Sequence, residues 1–123
     1  MSLIVAFRHI SLLVADLQRA RDFYEGILGL EINPARPAMS FAGVWYDIGP
    51  VQIHLMCLPN PEAGLVRPEH GGRDRHAAFA ISDMHELKEC LTKADIKFTL
   101  SQSGRGALFC RDPDDNALEF ICG

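Results

Sequence analysis

His9-Ile-Ser-Leu-Leu-Val-Ala-Asp16-Leu17 returns 67 residues later as His76-Ala-Ala-Phe-Ala-Ile-Ser-Asp83-Met84. In both copies a histidine precedes six mostly apolar residues, an aspartate and a large apolar residue. An interval of about half the chain suits a duplicated half-domain and is too long for a solenoid repeat. The first copy begins with Phe7–Val14, β-branched and apolar as strands are. Asp16 then offers a helix N-cap, because its carboxylate can accept from the free amides of a first turn. Leu17, Ala20, Phe23, Tyr24 and Ile27 recur at three and four and predict one apolar helical stripe, ended by Gly29. The second copy repeats the grammar: His76–Ile81 as strand, Asp83 with Glu86 at capping-box spacing, and Met84, Leu87 and Leu91 as the stripe, with Cys90 beside them.

Short strand-like runs follow each helix. In the first half they are Leu30–Asn33, Gly43–Ile48 and Val51–Leu58. In the second they are Lys97–Leu100, Ala107–Arg111 and Ala117–Cys122. Gly49-Pro50, Gly104 and Asp112-Pro113-Asp114-Asp115 supply turn chemistry between them. Each half therefore reads β-α-β-β-β. The expected organisation is a single α+β domain over residues 1–123. Its first module spans 5–58, a Pro- and Gly-containing connector 59–75, and its second module 76–123.

At 123 residues, 48% hydrophobic and 23% charged, the chain can bury a core unaided and is too apolar for intrinsic disorder. Twelve basic against sixteen acidic side chains give a net charge of -4. The pI of about 5.7 argues against a nucleic-acid partner. No apolar run approaches the ~20 residues of a membrane span, and the first residues lack the basic region and cleavage site of a signal peptide. A cytoplasmic location is the expectation. Cys57, Cys90, Cys110 and Cys122 form no C-x-x-C pair and lie in apolar segments, as buried reduced thiols do.

Strand parity picks out four residues. His9 and Ser11 share a face opposite Ile10, Leu12 and Val14; His54 falls with Gln52 and Met56; His76 with Ala78 and Ala80; Glu119 with Ala117 and Ile121. Each half thus carries one ligand-type residue on its first strand and one on its last. Alone, each reads more readily as a hydrogen-bonded sheet residue. At corresponding places of a duplicated unit, His9, His54, His76 and Glu119 read as a ligand set for Zn, Ni, Fe or Mn.

With these residues the chain resembles the vicinal oxygen chelate superfamily, which includes glyoxalase I, bleomycin resistance proteins and extradiol dioxygenases. The resemblance rests on His9-x6-Asp16-Leu17-x2-Ala20-x2-Phe23-Tyr24, on Leu28-Gly29-Leu30, on His76-x6-Asp83, and on the ending Asp112-Pro113-Asp114-Asp115-Asn116-Ala117-Leu118-Glu119. It implies paired βαβββ modules in a curved mixed sheet that cups a divalent metal. It also implies a homodimer in which His9 and His54 of one subunit meet His76 and Glu119 of the other. His54 stands where glyoxalase I has Glu or Gln.

The activity so implied is that of a glyoxalase-I-like (lactoylglutathione lyase-like) enzyme, which stabilises an enediolate on a vicinal-oxygen substrate and can use glutathione as cosubstrate. Glu119 and His54 are the candidates to move the proton. Arg73, Arg75 and Arg105 are candidates to hold a substrate carboxylate, against a default of solvated loop arginines. One alternative is an Fe(II) dioxygenase built on His9, His76 and Glu119. Another is a non-catalytic metabolite- or antibiotic-binding dimer of the bleomycin resistance type, its groove lined by Phe41, Trp45, Tyr46 and Met56. His70 and His85 read as loop and exposed helix residues.

Overall fold

A computed structural model describes every residue from Met1 to Gly123. The elements follow in the expected order: β1 (His9–Val14), α1 (Leu17–Arg21), β2 (Glu31–Ile32), β3 (Gly43–Ile48), β4 (Val51–Cys57), β5 (His76–Ile81), α2 (Met84–Lys93), β6 (Phe98–Leu100), β7 (Ala107–Arg111) and β8 (Ala117–Cys122). The strands form two four-stranded mixed sheets, ordered β1-β4-β3-β2 and β5-β8-β7-β6. In each sheet the first and last strands of the module pair in parallel and the rest are antiparallel.

The duplication extends to the helix caps. The Asp16 carboxylate accepts from Arg19 N at 3.1 Å, and the Asp83 carboxylate from Glu86 N at 3.0 Å. The first helix departs from the predicted 3.6-residue period. Beyond Arg21 it widens into a π-turn over Asp22–Ile27, with Leu28 N donating to Phe23 O. Phe23 and Tyr24 are both buried, as the predicted apolar stripe requires.

One apolar core serves both modules. It joins Val14, Phe23, Tyr24, Ile53 and Leu55 of the first to Leu87, Leu91, Leu108, Leu118 and Phe120 of the second. Polar clasps at the Asp112–Asn116 turn lock the modules together. Tyr24 Oη donates to Asp112 at 2.6 Å, Ala15 N to Asp114 at 2.9 Å, and Asn116 Nδ2 to the Leu13 carbonyl at 3.2 Å. Asp112 is buried and further accepts from Asp114 N, Asn116 N and Asn116 Nδ2. Burial raises its pKa, although the Tyr24 and Asn116 hydrogen bonds pull the other way.

All four cysteines are free. Cys110 is buried, with its thiol pushed up to about 12 by burial. Cys122, by contrast, is exposed at the chain end. Tyr46 does not line an open groove: it is buried in the core, and its hydroxyl donates to Glu25 at 2.7 Å. No helix is long and apolar enough to cross a membrane.

Candidate functional site

The pairing register equates positions of the two modules across their unequal turns. Ser11 of β1 lies opposite His54 of β4, and Ala78 of β5 lies opposite Glu119 of β8. Trp45 of β3 lies opposite His54, and Phe109 of β7 lies opposite Glu119. His54 and Glu119 are thus equivalent, as are His9 and His76.

On the second sheet, His76 and Glu119 meet. His76 Nε2 lies 2.9 Å from Glu119 Oε1, and His76 Nδ1 lies 2.8 Å from the Asp74 carbonyl oxygen. A carbonyl only accepts, so Nδ1 carries a proton and Nε2 is the nitrogen turned to the carboxylate. Two acceptor atoms do not sit 2.9 Å apart without a proton or a cation between them, so this pair is built to share one. Glu119 is only 3% exposed. Its other oxygen accepts from Arg105 Nη2 at 3.0 Å. A buried carboxylate so engaged is the donor chemistry that a divalent cation requires.

The connector closes over this half. Its short 3-10 turn, Gly71–Arg73, packs so near the sheet that a Cβ on Gly71 would lie 3.3 Å from Ala117 Cβ and 3.5 Å from Phe109 Cβ. His70 packs edge-on against Phe109 and hydrogen-bonds Thr99 Oγ1 at 2.6 Å, so this loop histidine has a fixed place. An ionic lattice ties the connector down. Asp74 takes Arg111 Nη1 at 2.8 Å and Arg67 Nη1 at 3.3 Å, and Arg111 Nη2 donates to the Pro68 carbonyl at 2.6 Å. Glu62 pairs with both Arg67 and Arg75. The Arg111 guanidinium holds the Asp74 carboxyl below the usual range. Asp74 therefore links this lattice to the tautomer of His76.

On the first sheet, three rings form a ladder. His9 and His54 stack with centroids 4.0 Å apart and planes 15° apart; Trp45 and His54 stack at 4.1 Å and 6°. His54 Nε2 is 2.8 Å from Gln52 Oε1, and Gln52 Nε2 donates to Asp47 at 2.9 Å. The amide oxygen accepts, which leaves His54 Nδ1 with the free lone pair. Burial lowers the His54 pKa, and the neighbouring His9 and Arg36 add to the effect.

The expected set of four ligands, His9, His54, His76 and Glu119, draws on two subunits. An imidazole binds a metal in its own plane, and in the single chain the His9 and His54 planes lie nearly parallel, 15° apart. Within the chain His9 and His54 sit on one sheet, His76 and Glu119 on the other, and no three His, Cys, Asp or Glu side chains gather as a metal cluster.

The sequence-predicted arginines separate as well. Arg105 is at the site, spent on Glu119; Arg75 is 72% exposed and spent on Glu62; Arg73 lies exposed on the connector turn. Reading by ligand type missed Gln52, Asp74 and Arg36, whose roles depend on partners distant in sequence. An apolar cleft of about 290 Å³ between Ile27–Leu30 and α2 is lined by residues such as Phe79, Ile81 and Phe120 and lies apart from both pairs.

The family model described as Glyoxalase/Bleomycin resistance protein/Dioxygenase superfamily matches residues 6–120. Glyoxylase I 4 of Arabidopsis thaliana is 28% identical over 97% of this chain and 71% of its own length. The glutathione transferase FosA of Serratia marcescens is 28% identical over 96% and 81%. A glyoxylase/bleomycin resistance protein/dioxygenase domain from Frankia sp. superposes with TM-score 0.73 at 25% identity, covering 98% of both chains. The fosfomycin resistance protein FosX of Listeria monocytogenes, solved with Mn(II) and 1S,2S-dihydroxypropylphosphonic acid, shares the fold at TM-score 0.73, 20% identity and coverage of 98% and 94%.

Proposed function

Because the chain belongs to the Glyoxalase/Bleomycin resistance protein/Dioxygenase superfamily, we propose that it is a metal-dependent, glyoxalase-I-like enzyme acting on a small molecule with two vicinal oxygens. The observation that carries this reading is the buried Glu119 facing His76 Nε2 at 2.9 Å, with Nδ1 of the same ring tied to a backbone carbonyl. His76, Glu119 and His9 would hold the ion, His9 being supplied by the second copy in a homodimer. A divalent cation there supplies positive charge to stabilise the negative charge that develops on two neighbouring oxygens during proton transfer.

The chain's own residues do the rest. Asp74 fixes the His76 tautomer, and Arg105 holds the far oxygen of Glu119. Both Glu119 oxygens are engaged, so moving the proton falls to His54. Its Nε2 proton is given to Gln52, its Nδ1 is free, and burial keeps the ring neutral and able to accept. His54 is thus a base stacked on a ligand in place of a fourth ligand. The same His9, His76 and Glu119 set matches the two-His-one-carboxylate pattern of Fe(II) oxygenases, which is the second reading.

Metal analysis of protein purified without added metal tests the proposal. The wild type should hold about one divalent ion per chain, and His76→Ala and Glu119→Ala should lose it. Nickel, zinc or manganese supports the isomerase reading and iron the oxygenase reading. Mixing His9→Ala with His76→Ala chains should restore one site per dimer. A wild type that refuses Zn(II), Ni(II), Mn(II) and Fe(II) overturns the proposal.

A further inference from the structure

Arg36 differs from most of the site arginines in meeting no carboxylate, and from the exposed Arg73 in being half-buried. Arg67, Arg75, Arg105 and Arg111 each meet a carboxylate. Arg36 is half-buried on the loop before β3, and its charge meets none. Its Nη2 donates to the Phe41 carbonyl at 2.8 Å, and the guanidinium carbon lies 5.5 Å from the centre of the Phe41 ring. Gly43 provides the seat. A Cβ there would come within 3.0 Å of Nη2 and 3.1 Å of Nε, and would also drive into the Leu55 carbonyl oxygen. Gly43 shares a face of β3 with Trp45, two residues on, and the charge so placed adds to the lowering of the His54 pKa after burial and His9.

A guanidinium presents five donors in a planar fork and cannot shed its charge. Here one donor is used on a neutral carbonyl, and the aromatic ring covers a face without neutralising the charge. The remaining donors belong to a cation held still, half out of water, next to the candidate base. Such a group matches the two oxygens of a carboxylate or the face of a phosphate-type anion.

We propose that Arg36 is the anion-binding residue of this site, taking an oxyanion group of the substrate beside the His9–His54–Trp45 ladder. The substrate class is then a vicinal-oxygen compound that also carries a carboxylate, phosphonate or phosphate. This identity of the substrate rests on the enzyme reading above; the anion subsite does not need the metal and can be measured without it.

Trp45 is the only tryptophan and lies on the same ladder, so its fluorescence reports occupancy. The full chain, stripped of metal, is titrated with inorganic phosphate and separately with glycolate. Both titrations are repeated for Arg36→Gln, Arg36→Met, Arg36→Lys and, as a distant control, Lys88→Gln, with thermal melting to confirm folding. The wild type and Lys88→Gln should saturate alike. The two neutral variants should bind the preferred anion at least tenfold more weakly, and Arg36→Lys should fall between because it keeps charge without the fork. Tighter phosphate binding assigns a tetrahedral anion, and tighter glycolate binding a carboxylate.

Equal affinity in the wild type and a folded neutral variant overturns the proposal, as does a wild type that saturates with neither anion. Mn(II) uptake, followed by electron paramagnetic resonance, is the separate readout. Anion binding through Arg36 in a protein that takes up none of Mn(II), Zn(II), Ni(II) and Fe(II) sinks the enzyme reading and leaves the subsite. Mn(II) uptake with Arg36-independent anion binding does the reverse.

Discussion

In the first module Ser11 lies opposite His54 and Trp45 flanks it; in the second Ala78 lies opposite Glu119 and Phe109 flanks that. The backbone positions are the same, and the environments are not. The second sheet's face is roofed by its own connector, which turns at Gly71–Arg73 and is held by the Arg67–Asp74–Arg111 lattice. Under that roof a carboxylate can be buried, because His76 and Arg105 satisfy both oxygens. The first sheet has no such cover. His9 and Ser11 are exposed, and His54 is sheltered chiefly by stacked rings, which suit an uncharged imidazole. Duplication supplied two equal frames; unequal cover made one a charged donor pair and the other an aromatic ladder with a neutral base.

The largest expected effect that tests this contrast comes from His54→Gln set beside His76→Ala. If the ladder supplies a base, His54→Gln should lower turnover by roughly 10²–10⁴-fold and metal affinity by less than tenfold. His76→Ala should remove the metal itself. Equal loss of metal in both variants would return His54 to the ligand set, and the two faces would then be alike.

A smaller effect is expected from loosening the roof. Arg111→Gln releases Asp74 Oδ2 and the Pro68 carbonyl. Its consequence reaches the ion only through the His76 ring, so metal affinity should fall about tenfold, at the low end of changes behind a ligand. Calorimetric titration with Mn(II) measures it, and restored affinity in Arg111→Lys would mark a positioning role.

The smallest effect is a difference in the sign of pH dependence between modules. Glu25 of the first is held below its ordinary 4.5 chiefly by the Arg21 hydrogen bond. Its contribution to stability is present above 4.5 and lost as pH falls through the folded value. Asp112 of the second is raised above 3.8 by burial, so the fold keeps a proton that the unfolded chain has released. Its contribution is full below 3.8 and declines as pH rises through the folded value. Urea midpoints against pH should therefore fall less steeply at acid pH in Glu25→Gln, Asp47 and Asp74 keeping the rest of the fall, and should lose the opposing slope in Asp112→Asn. Parallel curves for the two variants would show that neither group is linked to folding as its surroundings require.

Much of this was legible in the chain itself. The His-x6-Asp repeat, the two Asp caps and the alternation of the strands specify local structure, and local structure depends on neighbours a few residues apart. β3, β5, β7 and β8 have their predicted bounds, and the strand register agrees with the correspondence of His54 and Glu119 read from the sequence. The π-turn at Asp22–Ile27 was not legible, because the apolar stripe containing Phe23 and Tyr24 fits an ordinary α-helix equally well. The site divides in the same way. Its ligand-type residues were found by type and parity. That His9 and His54 stack, that Asp74 sets the His76 ring, and that Arg36 keeps a charge without a carboxylate partner were decided only in the tertiary structure. A ring's plane, a proton's position and an unpaired charge are properties of contacts between distant segments, and residue identities alone do not contain those contacts.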